Sequence, residues 1–283
     1  MSGQQHITPE LRQWITEQLA QGFDREQIVA SMCSSGWQVA VAQLAFDQSS
    51  TGGAIMGQSP SVASVGALPE PDLSRGTPTL WLGDRQVQVL LSLSHPRVVL
   101  LGGLLSDQEC DEMVAAAGAR LARSETVAAT QAGSEVNAAR TSDGMFFERG
   151  ENELVRKVEA RLSRLLNWPV DRGEGLQILR YRPGAEYLPH YDYFDPQMAG
   201  SEAILSRGGQ RVGTLVMYLN TPTAGGATIF PDVKLDVMPV KGNAVFFSYA
   251  RPDPSTLTLH GGAPVLEGEK WVATKWLREG VFD

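Results

Sequence analysis

The sequence predicts a mainly β protein with flanking helices, in which a sandwich or barrel of the jelly-roll kind follows a small three-helix domain. Two observations support this prediction. After residue 175 the chain breaks into about eight short apolar runs separated by Gly and Pro, which is typical of antiparallel strands joined by turns. Before residue 49, apolar residues instead recur every three to four positions, the spacing of short amphipathic helices.

The first 48 residues predict three short helices, over residues 9–20, 24–33 and 38–46. Their size and layout are similar to those of small ubiquitin-associated modules. This is a resemblance of pattern only. A packing or dimerisation appendage and a module that binds a protein partner therefore both remain open.

Residues 49–75 are rich in Ser, Gly, Ala and Pro and almost free of aromatic residues, which predicts a flexible linker. The rest of the chain, residues 76–283, is predicted to be one larger domain. Its first elements are a hairpin around residues 83–85, a strand over 97–101, a helix opened by the capping-box spacing of Ser106 and Glu109, and a helix over 152–166. The strands that follow are expected over residues 176–181, 187–193, 212–219, 227–230, 235–237, 244–249, 256–260 and 271–277.

Composition and charge narrow the classes of function. The net charge is −8 and no run of Lys or Arg exceeds two residues, which disfavours nucleic acid and anionic membranes as partners. Cys33 and Cys110 lie far apart, which argues against a disulfide framework and a zinc site. No basic segment leads into an apolar stretch at the N-terminus, and no apolar run approaches the roughly 18 residues that span a bilayer. We therefore expect a reducing, cytoplasmic setting.

The most informative segment is His190-Tyr191-Asp192, which is followed by a single later His260. Two imidazoles and one carboxylate on one face of a metal leave roughly three of six coordination positions open, an arrangement that suits non-haem Fe(II) in oxygen chemistry. Because alternate side chains of a strand share a face, we expect His190 and Asp192 to point into the barrel and Tyr191 away from it.

Further motifs between residues 97 and 279 closely resemble the prolyl 4-hydroxylase family of Fe(II)/2-oxoglutarate-dependent dioxygenases. In chain order, these motifs are Arg140 to Phe146, Arg180 to Asp192, Gly208 to Leu219, Gly225 to Pro231, and His260 to Trp276. One departure is Ala227, which stands where an acidic residue often follows the glycine pair in the family. This departure concerns a turn and leaves the His and Asp positions intact.

The resemblance implies a double-stranded β-helix in which iron is bound by His190, Asp192 and His260. It assigns contacts with the cosubstrate 2-oxoglutarate to Tyr181, Thr214, Lys270 and Trp276. It assigns contacts with the substrate to Arg140, Ser142 and Tyr187. Charge supports the role of Lys270 independently, because a dicarboxylate entering a barrel loses water and a fixed ammonium offsets that cost. Lys270 and Trp276 also share parity on the last predicted strand, so both can face one cavity.

The implied reaction is hydroxylation of a peptidyl proline to 4-hydroxyproline, with succinate and CO2 as coproducts and ascorbate as the reductant. This is the reaction type of procollagen-proline 4-dioxygenases. An extended, polyproline-like peptide binds well to an aromatic wall, and Tyr191, Tyr193 and Trp271 are expected to supply one. Residues 131–137 predict a mobile loop that could close over the site.

Two alternatives remain open. The same cofactors could act on a lysyl residue, a free amino acid or another small molecule. The chain could also be a binding protein whose barrel no longer turns over and whose N-terminal helices recruit a partner. The intact residues His190, Asp192, His260 and Lys270 count against the second alternative.

Overall fold

The computed structural model describes residues 11, 14–15, 18, 25–34, 37–50, 68–123, 126–127, 134–135, 141–198 and 200–283. The chain divides into two compact units, Met1–Ser61 and Val62–Asp283. None of the helices among the described residues combines the length and the apolar character that crossing a bilayer requires.

The described part of the first unit is mainly helical. Helix α1 spans Arg25–Ser34 and helix α2 spans Val39–Ser50, which confirms the second and third predicted helices. Of the helix predicted over residues 9–20, the described residues 11, 14, 15 and 18 are helical, and the others lie outside the described residues. The unit has an apolar core of its own, formed by Ile15, Ile28, Met32, Ala42, Ala45 and Phe46.

The second unit is built mainly from short strands. These are β1 (Thr79–Trp81), β2 (Gln86–Leu93), β3 (Arg97–Gly102), β4 (Ala122–Arg123), β5 (Thr126–Val127), β6 (Ser134–Glu135), β7 (Asp143–Phe147), β8 (Leu176–Tyr181), β9 (Tyr187–His190), β10 (Arg211–Tyr218), β11 (Ala224–Gly225), β12 (Thr228–Phe230), β13 (Leu235–Val237), β14 (Ala244–Ser248), β15 (His260–Gly262), β16 (Val265–Glu267) and β17 (Lys270–Arg278). The helices are α3 (Asp107–Gly118), α4 (Glu153–Leu166) and the short α5 (Ser201–Leu205).

Two antiparallel sheets dominate this unit. The large sheet has the strand order β1-β2-β3-β14-β10-β17-β8-β7-β4, and a small sheet has the order β13-β12-β15-β9. An inner apolar core contains residues of both sheets, among them Leu179, Val245 and Val272 of the large sheet and Phe230 and Val237 of the small one. Two antiparallel sheets packed on a shared core are the jelly-roll architecture, so the predicted fold class is confirmed.

The other face of the large sheet packs against α3 and α4. Strand β17 is buried along its whole length because it has apolar neighbours on both faces. Its residues Trp271, Ala273 and Leu277 belong to the outer core beside the helices, whereas Val272 belongs to the inner core. The strand period of two therefore separates residues that support the fold from residues that face the space between the sheets.

Local capping determines where α3 and α4 begin. The Ser106 hydroxyl accepts from the Glu109 backbone N–H at 3.1 Å, and the Glu109 carboxylate accepts from the Ser106 N–H at 2.9 Å. This reciprocal pair is the predicted capping box. Asn152 caps α4 by accepting from the Val155 N–H, and Asn167 ends that helix in the left-handed conformation.

A buried arginine links α4 to α3 and to the β1–β2 turn. Arg161 is 1% exposed, and its guanidinium lies 2.8 Å from Glu109 and 2.6 Å from Asp84. The same group donates to the Leu104 carbonyl at 2.9 Å. Burial alone would raise the pKa of Glu109, but hydrogen bonds from Arg161 and the Ser106 backbone hold it well below its usual range. The buried charges are therefore paired and hydrogen-bonded.

Two predicted strands differ in the structure. Strand β9 ends at His190, so the prediction of a strand over residues 187–193 is wrong beyond that point, and Asp192 lies in the bend that follows. The strand predicted over residues 256–260 is also wrong. Pro254–Thr256 forms a turn of 3-10 helix, and Leu257 adopts a left-handed φ of 55° that interrupts an extended chain.

Several short elements were not predicted. Strand β7 pairs along its length with β8, and the brief strands β11 and β16 pair with each other. Of the loop predicted over residues 131–137, Ser134–Glu135 forms β6, which pairs with β5, and the other residues lie outside the described ones. These missed strands have two to five residues, which is too short for a clear alternating pattern, and they form because of pairing across the fold.

The end of the predicted linker packs against the second unit. Leu68 and Leu73 contact the outer core, and Glu70 pairs with Arg97. Residues 68–73 are therefore part of the folded domain, which departs from the flexible linker predicted over residues 49–75. The prediction rested on the average composition of residues 49–75, which does not reflect the apolar side chains near the end of that segment.

Replacing Glu109 with Gln should lower the free energy of unfolding by about 3 kcal/mol, because the Arg161 guanidinium stays buried without its full countercharge. Glu112→Gln, on the exposed side of the same helix, is the matched control and should cost less than about 0.5 kcal/mol. Urea denaturation measures both values. Equal effects of the two substitutions would show that the buried ion pair does not contribute to the free energy of unfolding.

Candidate active site

Three metal-ligating side chains meet at the edge of the small sheet. His190 on β9 and His260 on β15 are direct cross-strand partners, and Asp192 follows β9 by two residues. Asp192 Oδ1 lies 3.5 Å from His190 Nε2, and Asp192 Oδ2 lies 3.4 Å from His260 Nε2. Ligands about 2.1 Å from one metal ion and at right angles lie roughly 3 Å apart. The predicted ligands therefore form a group able to hold a single ion.

Backbone carbonyls orient both imidazole rings. His190 Nδ1 lies 2.9 Å from the Leu188 carbonyl, and His260 Nδ1 lies 2.9 Å from the Thr258 carbonyl. A carbonyl oxygen only accepts, so each Nδ1 carries the hydrogen and each neutral ring presents the lone pair of Nε2. The two Nε2 atoms are the atoms that point towards Asp192.

The electrostatics favour the protonation states that bind a cation. Burial lowers the pKa of His190, and the neighbouring His260 lowers it further. Burial alone would raise the pKa of Asp192, but the His260 and His190 rings hold it well below its usual range. A neutral imidazole and an ionised carboxylate are the forms that coordinate a metal.

A cavity of about 450 Å³, partly open to solvent, extends from the triad between the two sheets. The large sheet contributes to it through paired residues of neighbouring strands. Lys270 on β17 is opposite Tyr181 on β8, and Trp276 on β17 is opposite Thr214 on β10. The four residues predicted to contact the cosubstrate therefore all line this cavity.

Two buried donors in the cavity lack an acceptor among the residues that the structure describes. Among the described residues, Lys270 has no carboxylate partner, and burial lowers its pKa to about 8. Trp276 Nε1 is also buried, and it has no hydrogen-bond partner in the described part of the chain. Gly226 leaves room for the lysine, because a Cβ at that position would lie 3.2 Å from Lys270 Cδ. A buried ammonium without a countercharge is costly, so this end of the cavity suits the distal carboxylate of 2-oxoglutarate.

Two hydroxyl groups differ in what they can offer to a ligand. Thr214 donates its hydrogen to Asp192 Oδ2 at 2.7 Å, so its donation to 2-oxoglutarate stays a prediction. Thr228 accepts from the Tyr218 hydroxyl at 2.9 Å and faces the cavity, which leaves its own hydrogen for a ligand. Sequence reasoning missed Thr228, although it lies inside the Gly225 to Pro231 motif.

The structure places the predicted substrate residues unequally. Tyr187 lines the cavity, and its ring stacks on His190 at 3.8 Å between centroids. Ser142 is fully buried and is absent from the lining of this cavity, so its contact with a substrate stays a prediction. Ser142 immediately precedes β7, a strand of the large sheet that was not predicted from the sequence. Arg140 lies outside the described residues.

The predicted aromatic wall is only partly present. Tyr191 and Tyr193 stack at 4.8 Å between ring centroids just after β9. Trp271, by contrast, belongs to the outer core, and its indole nitrogen donates to Glu269 at 3.0 Å. Its odd-numbered position on β17 places it on the helix side of the sheet, so the expectation that it lines the cleft is wrong.

An antiparallel jelly roll that holds two imidazoles and one carboxylate beside a buried, unpaired ammonium defines an Fe(II)/2-oxoglutarate-dependent dioxygenase. The comparisons with known proteins agree. Residues 176–278 match the family described as the 2OG-Fe(II) oxygenase superfamily. A protein named probable prolyl 4-hydroxylase 4, from Arabidopsis thaliana, is 38% identical over 213 residues, which cover 67% of this chain and 70% of the relative.

Prolyl 4-hydroxylase 5 from the same plant is 37% identical over 221 residues, which cover 71% of this chain and 74% of the relative. The solved structure of the viral collagen prolyl hydroxylase vCPH from Paramecium Bursaria Chlorella virus-1 is 32% identical, with a TM-score of 0.49, and covers 64% of this chain and 94% of that chain. The chain belongs to the prolyl 4-hydroxylase family of Fe(II)/2-oxoglutarate-dependent dioxygenases.

Binding of 2-oxoglutarate should weaken as the pH rises through about 8, because the free protein then loses the Lys270 proton that the dicarboxylate requires. The bound anion raises the pKa of this lysine, so binding takes up a proton above that pH and the affinity falls by up to about tenfold per pH unit. Calorimetric titration of the Co(II)-loaded protein measures the dependence. The Lys270→Met variant should bind 2-oxoglutarate weakly at every pH. A fall in its affinity near pH 8 would show that another group titrates there.

Proposed function

We propose that the chain hydroxylates a peptidyl proline to 4-hydroxyproline, using Fe(II), 2-oxoglutarate and O2 and releasing succinate and CO2. The observation that carries the proposal is the triad of His190, Asp192 and His260, which shares one cavity with the unpaired Lys270. Relatives that match 67% and 71% of this chain bear the name prolyl 4-hydroxylase.

The roles of the residues follow from their positions. Iron held by the triad supplies oxygen activation coupled to the decarboxylation of 2-oxoglutarate. Lys270 binds the distal carboxylate and fixes the depth at which the cosubstrate lies. Apolar side chains that line the cavity, Leu179, Val216 and Val272, exclude water from the reacting centre.

A peptide substrate is supported by the surface next to the triad. Tyr187 covers one side of His190, and the stacked Tyr191 and Tyr193 follow immediately after β9. A proline-bearing segment in the extended polyproline conformation loses little entropy when it binds to such aromatic rings. No contact among the described residues favours a lysyl residue or a free amino acid over this substrate.

Three finer points belong to the same proposal. Ascorbate is the reductant that keeps the iron in its Fe(II) state. The helical first unit, which has its own apolar core, binds a protein partner. The setting is the cytoplasm, and the two free thiols, Cys33 and Cys110, support a reducing compartment.

With Fe(II), ascorbate and 2-oxoglutarate, proline-rich peptides should gain the mass of one oxygen atom per modified residue. His190→Ala and Asp192→Ala should abolish this gain, because each removes a metal ligand. His95→Ala, which replaces an exposed histidine that does not line the cavity, should keep full activity. Peptide mass spectrometry with fragment localisation measures the product. If succinate accumulated only with a lysyl or small-molecule substrate, the prolyl assignment would be wrong.

A further inference from the structure

We propose that Tyr249 is a positioning residue of the metal site, which acts through Thr214 to hold the Asp192 carboxylate in the orientation that meets a metal ion. This inference rests on the proposed iron-dependent function. It concerns a residue that is not itself a ligand and does not line the cavity.

The pairing of β10 with β14 places Tyr249 beside Thr214. Thr214 is directly opposite Phe247, and the Tyr249 backbone N–H extends the ladder by donating to the Val212 carbonyl at 3.1 Å. Side chains two positions apart on a strand share a face, so Tyr249 is a diagonal cross-strand neighbour of Thr214. The two hydroxyl oxygens are 2.9 Å apart.

The direction of the hydrogen bonds follows from what each group can donate. An ionised carboxylate only accepts, so the Thr214 hydroxyl donates its single hydrogen to Asp192 Oδ2, 2.7 Å away. That hydrogen is then unavailable to Tyr249. The phenol must therefore donate to the threonine oxygen, which makes a one-way chain from Tyr249 through Thr214 to Asp192.

Water cannot readily replace any member of this chain. Thr214 is 0%, Tyr249 is 2% and Asp192 is 6% exposed. The phenol ring is also held in place, because it meets Tyr193 edge-on at 6.0 Å between centroids and Phe247 at 6.3 Å. A buried hydroxyl in a fixed ring is a preorganised donor.

The consequence for Asp192 is an asymmetric carboxylate. Oδ2 accepts from Thr214 and lies 3.4 Å from His260 Nε2, whereas Oδ1 lies 3.5 Å from His190 Nε2 and accepts no hydrogen bond from a hydroxyl group among the described residues. A hydrogen bond that occupies one oxygen favours coordination of a metal through the other, and a single coordinating oxygen leaves more positions open on the ion. Without the Tyr249 hydroxyl, the Thr214 hydroxyl loses the donor that restrains its rotation, and the carboxylate is held less firmly.

The test measures Co(II) binding to the full chain by calorimetry and by the visible absorption of the bound ion, in the absence of 2-oxoglutarate and peptide. Tyr249→Phe removes only the hydroxyl and should weaken Co(II) binding about tenfold, at the low end of the range for groups that support metal ligands. The Co(II) absorption bands should also shift. Thr214→Val should weaken binding at least as much, and Thr214→Ser, which keeps the hydroxyl, should restore it.

Two comparisons separate positioning from a general loss of stability. Tyr218→Phe is the matched control, because Tyr218 forms an equally buried hydroxyl pair with Thr228, and among the described residues neither hydroxyl is hydrogen-bonded to Asp192. Its Co(II) affinity should equal that of the wild type. In the double variant, Tyr249→Phe should add nothing to Thr214→Val, since the relay is already broken.

The proposal is overturned by unchanged Co(II) affinity and absorption in Tyr249→Phe, by an equal loss in Tyr218→Phe, or by additive losses in the double variant. If Tyr249→Phe does not fold, the comparison of Thr214→Val with Thr214→Ser decides, and equal affinities of those two variants overturn the relay. Failure of the wild type to hydroxylate any proline would refute the proposed function and leave this result intact, because metal affinity is measured without substrate.

Discussion

The pairing of β9 with β15 is the interaction on which the site depends. It places His190 directly across from His260, although seventy residues separate them in the chain, and the bend after β9 then returns Asp192 to the same point. Neither strand exceeds four residues. Strands this short are stable only because the small sheet shares its core with the large one. The metal ligands are therefore held in place by packing between the two sheets.

Among the described residues, the buried cations divide into those that support the fold and one, Lys270, that faces the cavity. Arg161 pairs with Glu109, Lys275 with Glu159, and Arg278 with Glu174. The first two pairs link secondary-structure elements that pack against each other, and the third links β17 to the segment just before β8. Each pair satisfies the requirement that a buried charge has a partner. Lys270 lies on the same strand as Lys275 but has no carboxylate partner among the described residues. An unpaired buried ammonium lowers the stability of the ligand-free protein and favours binding of an anionic ligand. A binding site for a dicarboxylate therefore reduces the stability of the ligand-free fold.

Local signals predicted the helices and the longer strands. The capping box at Ser106 and the apolar stripe of α4 depend on residues that are close together in the chain, so both can be recognised from the sequence. The alternation along β17 likewise predicted that Lys270 and Trp276 face one cavity. That reasoning was misapplied to Trp271, because alternation from the adjacent Lys270 already places Trp271 on the opposite face, away from the cavity. It failed for β7, whose pairing with β8 is decided across the fold.

The sequence by itself determined the chemistry: which imidazoles, which carboxylate and which ammonium are available, and that they occur in the order of the prolyl 4-hydroxylase family. Hydrogen-bond partners were decided only by the tertiary structure. Sequence reasoning assigned the Thr214 hydroxyl to the cosubstrate, whereas the fold directs its hydrogen to Asp192 and places Tyr249 behind it. Which group donates and which accepts depends on differences of a few tenths of an ångström in the distances between side chains on strands that are far apart in sequence. Residue identity alone does not contain that information.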